Sequence, residues 1–433
     1  MEISELYKIF EQHPVVTTDS RDCPEGSIFF ALKGASFNGN AFAQKAIEQG
    51  CAYAVVDEAE FAPEGDKRFI LCNDCLHTLQ QLANYHRRHL GTKIIGITGT
   101  NGKTTTKELV AAVLEKKYNV LYTLGNFNND IGVPKTLLRL KPEHEIAVVE
   151  MGASHPGDIK TLVNIVEPDC GIITNVGRAH LQGFGSFEGV IKTKGELYDY
   201  IRDNGGFVFI HNENKYLQSI ASGLELIKYG TTTGDTSLAV CGEVVECAPY
   251  LKFRWNSSQG KWHEVQTHLI GSYNVYNMLA AACIGIYFGV SEEQVSDALR
   301  NYVPTNNRSQ LEVTGSNKLI VDTYNANPTS MRAALENFHD MAVEPKMAIL
   351  GDMGELGAVS NEEHQKVVDF LTENNLTDVW LVGENFGKID CRFRKFHDVD
   401  EVKKEIAKNK PTGKYILIKG SNSMKLFQLP ELL

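Results

Sequence analysis

No run of this sequence stays apolar for long enough to cross a membrane. The longest nearly uninterrupted stretch, Met278 to Val290, falls short of the ~20 residues a spanning helix needs and reads as a buried helix, so no membrane insertion is expected. The segment Met1-Glu2-Ile3-Ser4-Glu5 carries neither a basic stretch nor an apolar one, and no secretory signal is expected from it. Positive charge is not in excess either. The 43 Lys and Arg stand against 54 Asp and Glu, a net charge of -11, which argues against nucleic acid or an anionic membrane as a partner. Anionic substrates would have to be held by local groups against that field. Nine cysteines are scattered with one close pair, Cys72-Asn73-Asp74-Cys75. No second pair and no histidines at ligand spacing follow, so neither a zinc site nor a disulfide framework is expected; the thiols read as reduced, in a cytoplasmic protein. Internal repeats and low-complexity segments are absent as well.

What is present is an ordinary globular composition, 42% hydrophobic and 22% charged over 433 residues, long enough for about three domains. The first ninety residues alternate short apolar runs (Ser27–Leu32, Ala52–Val56) with helical patterns (Phe42–Gln49, Leu76–Leu90), a small α/β unit ending near His89–Thr92. From Lys93 a buried strand feeds a glycine-rich turn and a helix from Lys103 to about Lys117. Strand-like runs at Ile146–Glu150, Cys170–Asn175 and Phe207–Ile210, separated by helical stretches, predict a parallel, doubly wound sheet. Between Ser237 and Leu269 the pattern becomes an antiparallel meander, closed by helices over Asn274–Phe288 and Glu292–Tyr302. The polar break Val303-Pro304-Thr305-Asn306-Asn307 marks a second boundary. Strands at Leu319–Asp322, Met347–Leu350, Val379–Val382 and Tyr415–Ile418 then alternate with helices at Ser330–His339 and Glu362–Thr372. The expectation is an α/β protein of three domains, at 1–90, 91–304 and 305–433. The central one is a P-loop parallel-sheet ATPase domain, flanked by a small N-terminal α/β domain and a C-terminal Rossmann-like α/β domain.

The turn after the strand Ile94–Ile97 reads Gly96-Ile97-Thr98-Gly99-Thr100-Asn101-Gly102-Lys103-Thr104-Thr105. A polyphosphate cradle needs backbone N–H groups pointing inward, a helix N-terminus behind them and a lysine for the outer phosphates. Gly99 and Gly102 allow close backbone approach, Lys103 supplies the charge, and the Thr104 hydroxyl suits Mg²⁺. The strict P-loop spacing is not met, because Ile97 occupies its first glycine position. Nucleotide binding follows from this loop; the reaction does not.

Other groups fall at the carboxyl edge of the same sheet, where ligands of open α/β sheets bind. Glu150 ends the run Ile146–Val149 and suits an ATP-bound Mg²⁺, or is simply a solvated strand end. His180, after Thr174-Asn175-Val176-Gly177-Arg178-Ala179, is a metal ligand, an acid/base group or a structural histidine. In Lys192-Thr193-Lys194 nothing in the charge pattern selects one lysine over the other. The cluster Asn126-Phe127-Asn128-Asn129-Asp130 serves either a substrate amide or phosphate or an Asx-rich turn ahead of a helix.

Together these segments resemble the Mur ligase family, along nearly the whole chain and in the family's domain order. The loop Gly99–Thr104 is the general signature, shared with folylpolyglutamate synthases. Three segments resemble the branch that adds D-alanyl-D-alanine: Gly125-Asn126-Phe127-Asn128-Asn129-Asp130-Ile131-Gly132-Val133-Pro134, Ala179-His180-Leu181-Gln182-Gly183-Phe184-Gly185-Ser186, and Asp322-Thr323-Tyr324-Asn325-Ala326-Asn327-Pro328-Thr329-Ser330-Met331.

The resemblance implies an ADP-forming ligase that joins D-alanyl-D-alanine to a UDP-N-acetylmuramoyl-tripeptide through an acyl phosphate, as a cytoplasmic monomer making peptidoglycan precursor. It implies ATP bound at Gly99, Thr100, Asn101, Gly102, Lys103, Thr104 and Thr105, with Asn274 and Asn277 near adenine and Arg308 and Asp322 on phosphates and ribose. Two Mg²⁺ ions are implied, the first on Thr104 and Glu150, the second on His180 and on Lys194 carried as a carbamate. Lys103, Glu150, His180 and Lys194 are thus the catalytic set. Ser20, Arg21 and Lys33 match the uridine-diphosphate segments, and Asn128, Asn129, Tyr324, Asn325 and Asn327 are read as contacts to the peptide and dipeptide. Three positions depart from the family pattern. Tyr273 and Asn40 stand where relatives often carry histidine, and Asn422 stands in Gly420-Ser421-Asn422-Ser423 where an arginine is usual. A sister ligase adding a single amino acid, or glutamate to a folate, is the nearest alternative. A guanine-nucleotide switch is disfavoured, since Asn214-Lys215, Asn317-Lys318 and Asn409-Lys410 all lack the aspartate such switches carry two residues on.

Overall fold

The computed structural model describes residues 2–258, 260–304 and 308–433, so Thr305-Asn306-Asn307 of the polar break lie outside the described residues. The chain forms two compact units, one of residues 1–97, 118–153 and 157–171, the other of residues 98–117, 154–156 and 172–433.

In the first unit, β1 (Val16–Thr17), β2 (Ile28–Phe30), β5 (Tyr53–Val56) and β6 (Phe69–Leu71) form a parallel sheet in the order β1-β2-β5-β6, and β3 (Lys33–Gly34) and β4 (Phe37–Asn38) a short antiparallel ribbon. Phe29, Phe30, Val55 and Val56 are buried without alternation, as in a parallel sheet covered on both faces. The helix Cys75–Leu90 starts on an Asp74 side chain that accepts the His77 N–H, and it stops at Gly91 in the left-handed conformation. The unit also holds β7 (Lys93–Thr98), β8 (Val120–Tyr122), β9 (Ile146–Glu150) and the start of β10 (Cys170–Ile173), in the order β10-β7-β9-β8.

In the second unit, β11 (Phe207–His211), β12 (Glu225–Gly230), β13 (Val240–Cys247), β14 (Tyr250–Ser257) and β15 (His263–Ile270) run in the order β15-β14-β13-β12-β11. β12 pairs parallel with β11 and with β13, and β14 pairs antiparallel with β13 and with β15, which is the expected meander. Leu251, Phe253 and Trp255 alternate inward along β14 and are fully buried. The carboxyl-terminal part is a second sheet, β16 (Gln310–Val313), β17 (Lys318–Asp322), β18 (Lys346–Gly351), β19 (Val379–Val382), β20 (Arg394–Phe396) and β21 (Tyr415–Lys419), in the order β16-β17-β21-β18-β19-β20. It is parallel except for β16. One face packs Met331, Leu335 and Phe338 against Leu350 and Leu381; the other packs Val402 and Ile406 against Ile349 and Ile418. A core on both faces is the doubly wound arrangement.

The predicted strands and helices all have counterparts, with shifted ends. The strand read to Asn175 stops at Ile173, and the helix read to Lys117 stops at Leu114. Short strands such as β6, β8, β16 and β20 were not predicted. Three or four residues give too short a period to read, and β20 at a sheet edge carries Arg394 and Lys395 exposed. Among the described residues no helix is long and apolar enough to cross a membrane.

Candidate nucleotide and ligase site

The phosphate loop is held from behind by the residues that follow β10. Gly99 adopts φ +144°, and a Cβ there would stand 2.1 Å from Thr174 Oγ1. Gly102, at φ +77°, begins the helix Lys103–Leu114. The N–H of Thr100 donates to Asn175 O at 2.9 Å and that of Asn101 to Asn175 Oδ1 at 3.0 Å. In return, Thr174 Oγ1 and Asn175 Nδ2 donate to Asn101 O at 2.7 and 2.9 Å. Lys103 Nζ curls onto the loop, donating to Gly99 O at 2.9 Å and Thr100 O at 3.1 Å. Thr104 and Thr105 are buried in the first helical turn. Thr106 Oγ1 donates to Asn277 Oδ1 at 3.1 Å, Asn277 Nδ2 to Asn274 Oδ1 at 2.7 Å, and Asn274 Nδ2 to Ile270 O at 2.8 Å. The pair read as adenine-proximal thus ties the helix Asn274–Tyr287 to the loop helix.

His180 sits in the left-handed region, φ +50°, with Nδ1 facing Glu355 Oε2. Burial pushes its imidazole below the usual 6.5; Glu355 opposes this, while the ammonium groups of Lys103 and Lys194 add to it. Burial thus favours the neutral ring, the form that a metal ligand or base requires. Lys194, on the helix Phe187–Asp203 capped by Ser186, is 2% exposed, whereas Lys192 points to solvent. Its Nζ lies 5.6 Å from the centre of the Phe184 ring. Burial thus distinguishes two lysines that the sequence could not separate.

In the first unit Glu150 ends β9 at 1% exposure, its Oε1 accepting from Asn128 Nδ2 at 2.8 Å and its N–H donating to Thr123 Oγ1 at 3.0 Å. In the asparagine cluster two neighbours play different structural parts. Asn128 orients the carboxylate, while Asn129 Oδ1 accepts the Gly132 N–H at 2.8 Å, the Asx turn ahead of the helix Gly132–Leu137. Ser20 is partly buried; Arg21 is exposed and forks onto Asp19. Lys33 Nζ bridges Asp57 and Glu58 at 2.9 Å each. Asn40 is buried, its amide donating to Asn38 Oδ1 and Asp57 Oδ1 and accepting the Asp57 N–H at 2.9 Å. Burial pushes the Asp57 carboxyl up, but Lys33 and Asn40 outweigh it and hold it below the usual range.

In the second unit, Asp322 ends β17 paired to Lys419 Nζ at 2.6 Å. The Arg308 guanidinium stacks 3.8 Å from the Tyr324 ring centre, Asn325 is exposed, and Asn327 caps the helix Pro328–Asp340. Tyr273 Oη lies 2.7 Å from Ser309 Oγ. Asn422 is exposed at the start of a short 3₁₀ turn. Two residues at this site were not singled out from sequence. Lys419, 1% exposed, ends an apolar strand just as Glu150 does, and the same rule would have found it. Glu355 gave no signal: it lies in an irregular segment after β18, and its role depends on a contact with a residue 175 positions away.

Among the described residues no three His, Cys, Asp or Glu side chains cluster closely enough to hold a metal ion by themselves. Mg²⁺ is commonly held by one or two protein ligands completed by substrate phosphates and water, and the donor set fits an ion brought by the nucleotide.

A phosphate loop on a parallel sheet, with buried Lys194 and the His180–Glu355 pair in the same compact body as the loop, defines a nucleotide-dependent α/β enzyme. Family models described as "Mur ligase family, catalytic domain", "Mur ligase middle domain" and "Mur ligase, glutamate ligase domain" match residues 14–87, 97–285 and 308–422. The chain is 35% identical to the UDP-N-acetylmuramoyl-tripeptide–D-alanyl-D-alanine ligase of Bacillus subtilis, over 96% of this chain and 92% of that one. It is 33% identical to that of Escherichia coli, over 85% and 81%. Among solved structures, MurF from Acinetobacter baumannii superposes with a TM-score of 0.86 at 31% identity, covering 96% and 92% of the two chains. MurF ligase from Thermotoga maritima, in complex with ADP, gives 0.85 at 25% identity, covering 96% of each. The chain belongs to the Mur ligase family and is an ATP-dependent, ADP-forming ligase with that family's three-domain α/β fold.

Two predictions follow from this geometry. Gly99→Ala would force a Cβ onto Thr174 in a backbone region alanine avoids, a strain of ~1–3 kcal/mol. ADP affinity measured by calorimetry should fall about ten- to hundredfold; undiminished binding would remove this loop from the nucleotide site. The second concerns the segment that carries Glu355. Buried His364 accepts the Met353 N–H on Nε2 at 3.1 Å and donates from Nδ1 to Ser360 O at 2.7 Å. Burial holds its pKa below the usual 6.5, against Ser360, Asp352 and Glu363. The unfolded chain therefore binds the proton first, and this stability is present above pH 6.5 and lost as pH falls through it. Urea midpoints of the protein and of His364→Gln should converge from pH 8 to pH 5, and a constant gap would refute the assignment.

Proposed function

We propose that this ligase joins D-alanyl-D-alanine to the tripeptide carboxylate of UDP-N-acetylmuramoyl-tripeptide, with ATP converted to ADP and phosphate. What most supports this reading is the 35% identity to a ligase of that specificity across 96% of the chain. A carboxylate oxygen of the tripeptide attacks the γ-phosphorus and ADP leaves, giving an acyl phosphate. The free amine of the dipeptide then adds to the acyl carbon, loses a proton, and the tetrahedral intermediate collapses with expulsion of inorganic phosphate.

Two anions meet in the first step, so charge must be neutralised where they approach. Lys103 and the N-terminus of the helix Lys103–Leu114 hold the β- and γ-phosphates. Thr104 and Glu150 would hold one Mg²⁺, and His180 with the carbamate of Lys194 a second; bound there, the ions screen the repulsion between carboxylate and phosphate. A carbamate is formed when the Lys194 amine adds to CO₂ and loses a proton, turning a buried cation into an anionic oxygen donor. Asn274, Asn277, Arg308 and Asp322 serve the nucleoside and phosphates. Ser20, Arg21 and Lys33 bind the uridine diphosphate, and Asn128, Asn129, Tyr324, Asn325 and Asn327 line or shape the peptide sites. On this reading residues 1–90 hold the UDP-sugar, 91–304 hold ATP, and 305–433 complete the ATP and amine sites of a cytoplasmic monomer.

ADP release should require both the UDP-muramoyl-tripeptide and D-alanyl-D-alanine, and full turnover without the dipeptide would sink the proposal. Lys194→Ala should lose nearly all activity, with partial recovery in millimolar formate or acetate. A peptide mass measured without acid that shows an unmodified Lys194 in active enzyme would exclude the carbamate.

A further inference from the structure

Among the described residues, a pair of amides joins the phosphate loop to the first turn of the helix Pro328–Asp340. Asn327 Nδ2 donates to Asn101 Oδ1 at 2.8 Å, and Asn101 Nδ2 lies 3.4 Å from Asn327 Oδ1. Each partner is fixed independently of the other. The backbone of Asn101 is clamped on both sides by Thr174 and Asn175. Asn327 is 5% exposed and forms a capping box, its Oδ1 accepting the Ser330 N–H at 2.9 Å and its N–H donating to Ser330 Oγ at 3.1 Å. Two residues along, Thr329 Oγ1 accepts the Arg178 N–H at 3.1 Å, so the same turn also meets the segment leading to His180.

An amide is the side chain that can cap with its oxygen and donate with its nitrogen at once. It does so beside a polyphosphate site without adding charge of either sign. From this we infer that Asn327 is a positioning residue, and that the Asn101–Asn327 pair is a latch which seats the carboxyl-terminal domain on the phosphate loop for chemistry. The inference rests on the reading of that loop as the ATP site. It places Asn327 at the interface between loop and helix cap, where it shapes the peptide site rather than contacting the peptide through its amide.

The two ends can be cut separately. Asn327→Ser retains a good cap residue but is too short to reach Asn101, and Asn101→Ser removes only side-chain contacts, since the other bonds of that residue are through its backbone. Losing the pair should lower kcat about three- to thirtyfold in either variant, the range of one or two hydrogen bonds. The melting temperature should stay near that of the parent in both variants, and the ADP affinity by calorimetry should stay near it in Asn327→Ser, where the cap is kept and the loop is untouched. The double variant should lose no more than one single variant, the mark of a shared interaction. Asn327→Asp keeps the cap, loses the donor, and should be at least as impaired. Parental kcat in either single variant or in Asn327→Asp would overturn the latch, as would losses that multiply in the double variant or, in Asn327→Ser, ADP affinity falling in parallel with kcat. A failure of the ATP reading is distinguishable: the parent enzyme itself would then neither bind ADP nor release it.

Discussion

A loop proposed to hold a polyphosphate through its backbone can aim N–H groups only if the chain that carries them is prevented from relaxing. Much of the second unit follows from that requirement. The loop turns at Gly99 because no other residue fits against Thr174. It keeps its shape because Thr174 and Asn175, at the end of β10, fill the donors and acceptors that its own turn leaves open. The helix behind it is tied at its second turn to the start of the helix Asn274–Tyr287 through Asn277. The loop is thus a fixed object before any ligand arrives, and binding does not carry the cost of ordering it.

The parts of this arrangement that could be read from sequence were those with a local period or a local reason. Strand, glycines, lysine, hydroxyl and helix follow one another within a dozen residues, and Glu150 closes an apolar run, so both were legible. Lys194 was legible only by resemblance. Whether a lysine on a helix faces in or out depends on what packs against it, and Phe184 is brought there by a turn of the chain that no periodicity announces. Glu355 could not be read at all, because it acquires meaning only when β18 has been laid beside its neighbours and the following segment braced by His364. Short edge strands were lost for a related reason: a pattern of period two needs more than three residues to declare itself.

Asparagine recurs at contacts between elements: Asn128 on Glu150 in the first unit, and in the second Asn175 on the loop, Asn277 between two helices and Asn327 on Asn101. Carboxylates in those places would repel phosphate, and lysine or arginine would compete for it. An amide fixes distance and direction while leaving the electrostatics to the few charged groups that act on substrate. In a chain whose overall charge is -11, that economy of local charge keeps the cations near the loop, Lys103 above all, undiluted.

Position 40 has a consequence of its own. The residue there is locked between Asn38 and Asp57, and through Asp57 it stands one bond from Lys33. An imidazole at that point would gain or lose a proton within the range of pH in which cells live, and the charge next to Asp57 would follow it. The amide does not titrate. Position 40 therefore adds no change of charge beside the Lys33–Asp57 pair as pH falls, as an imidazole there would.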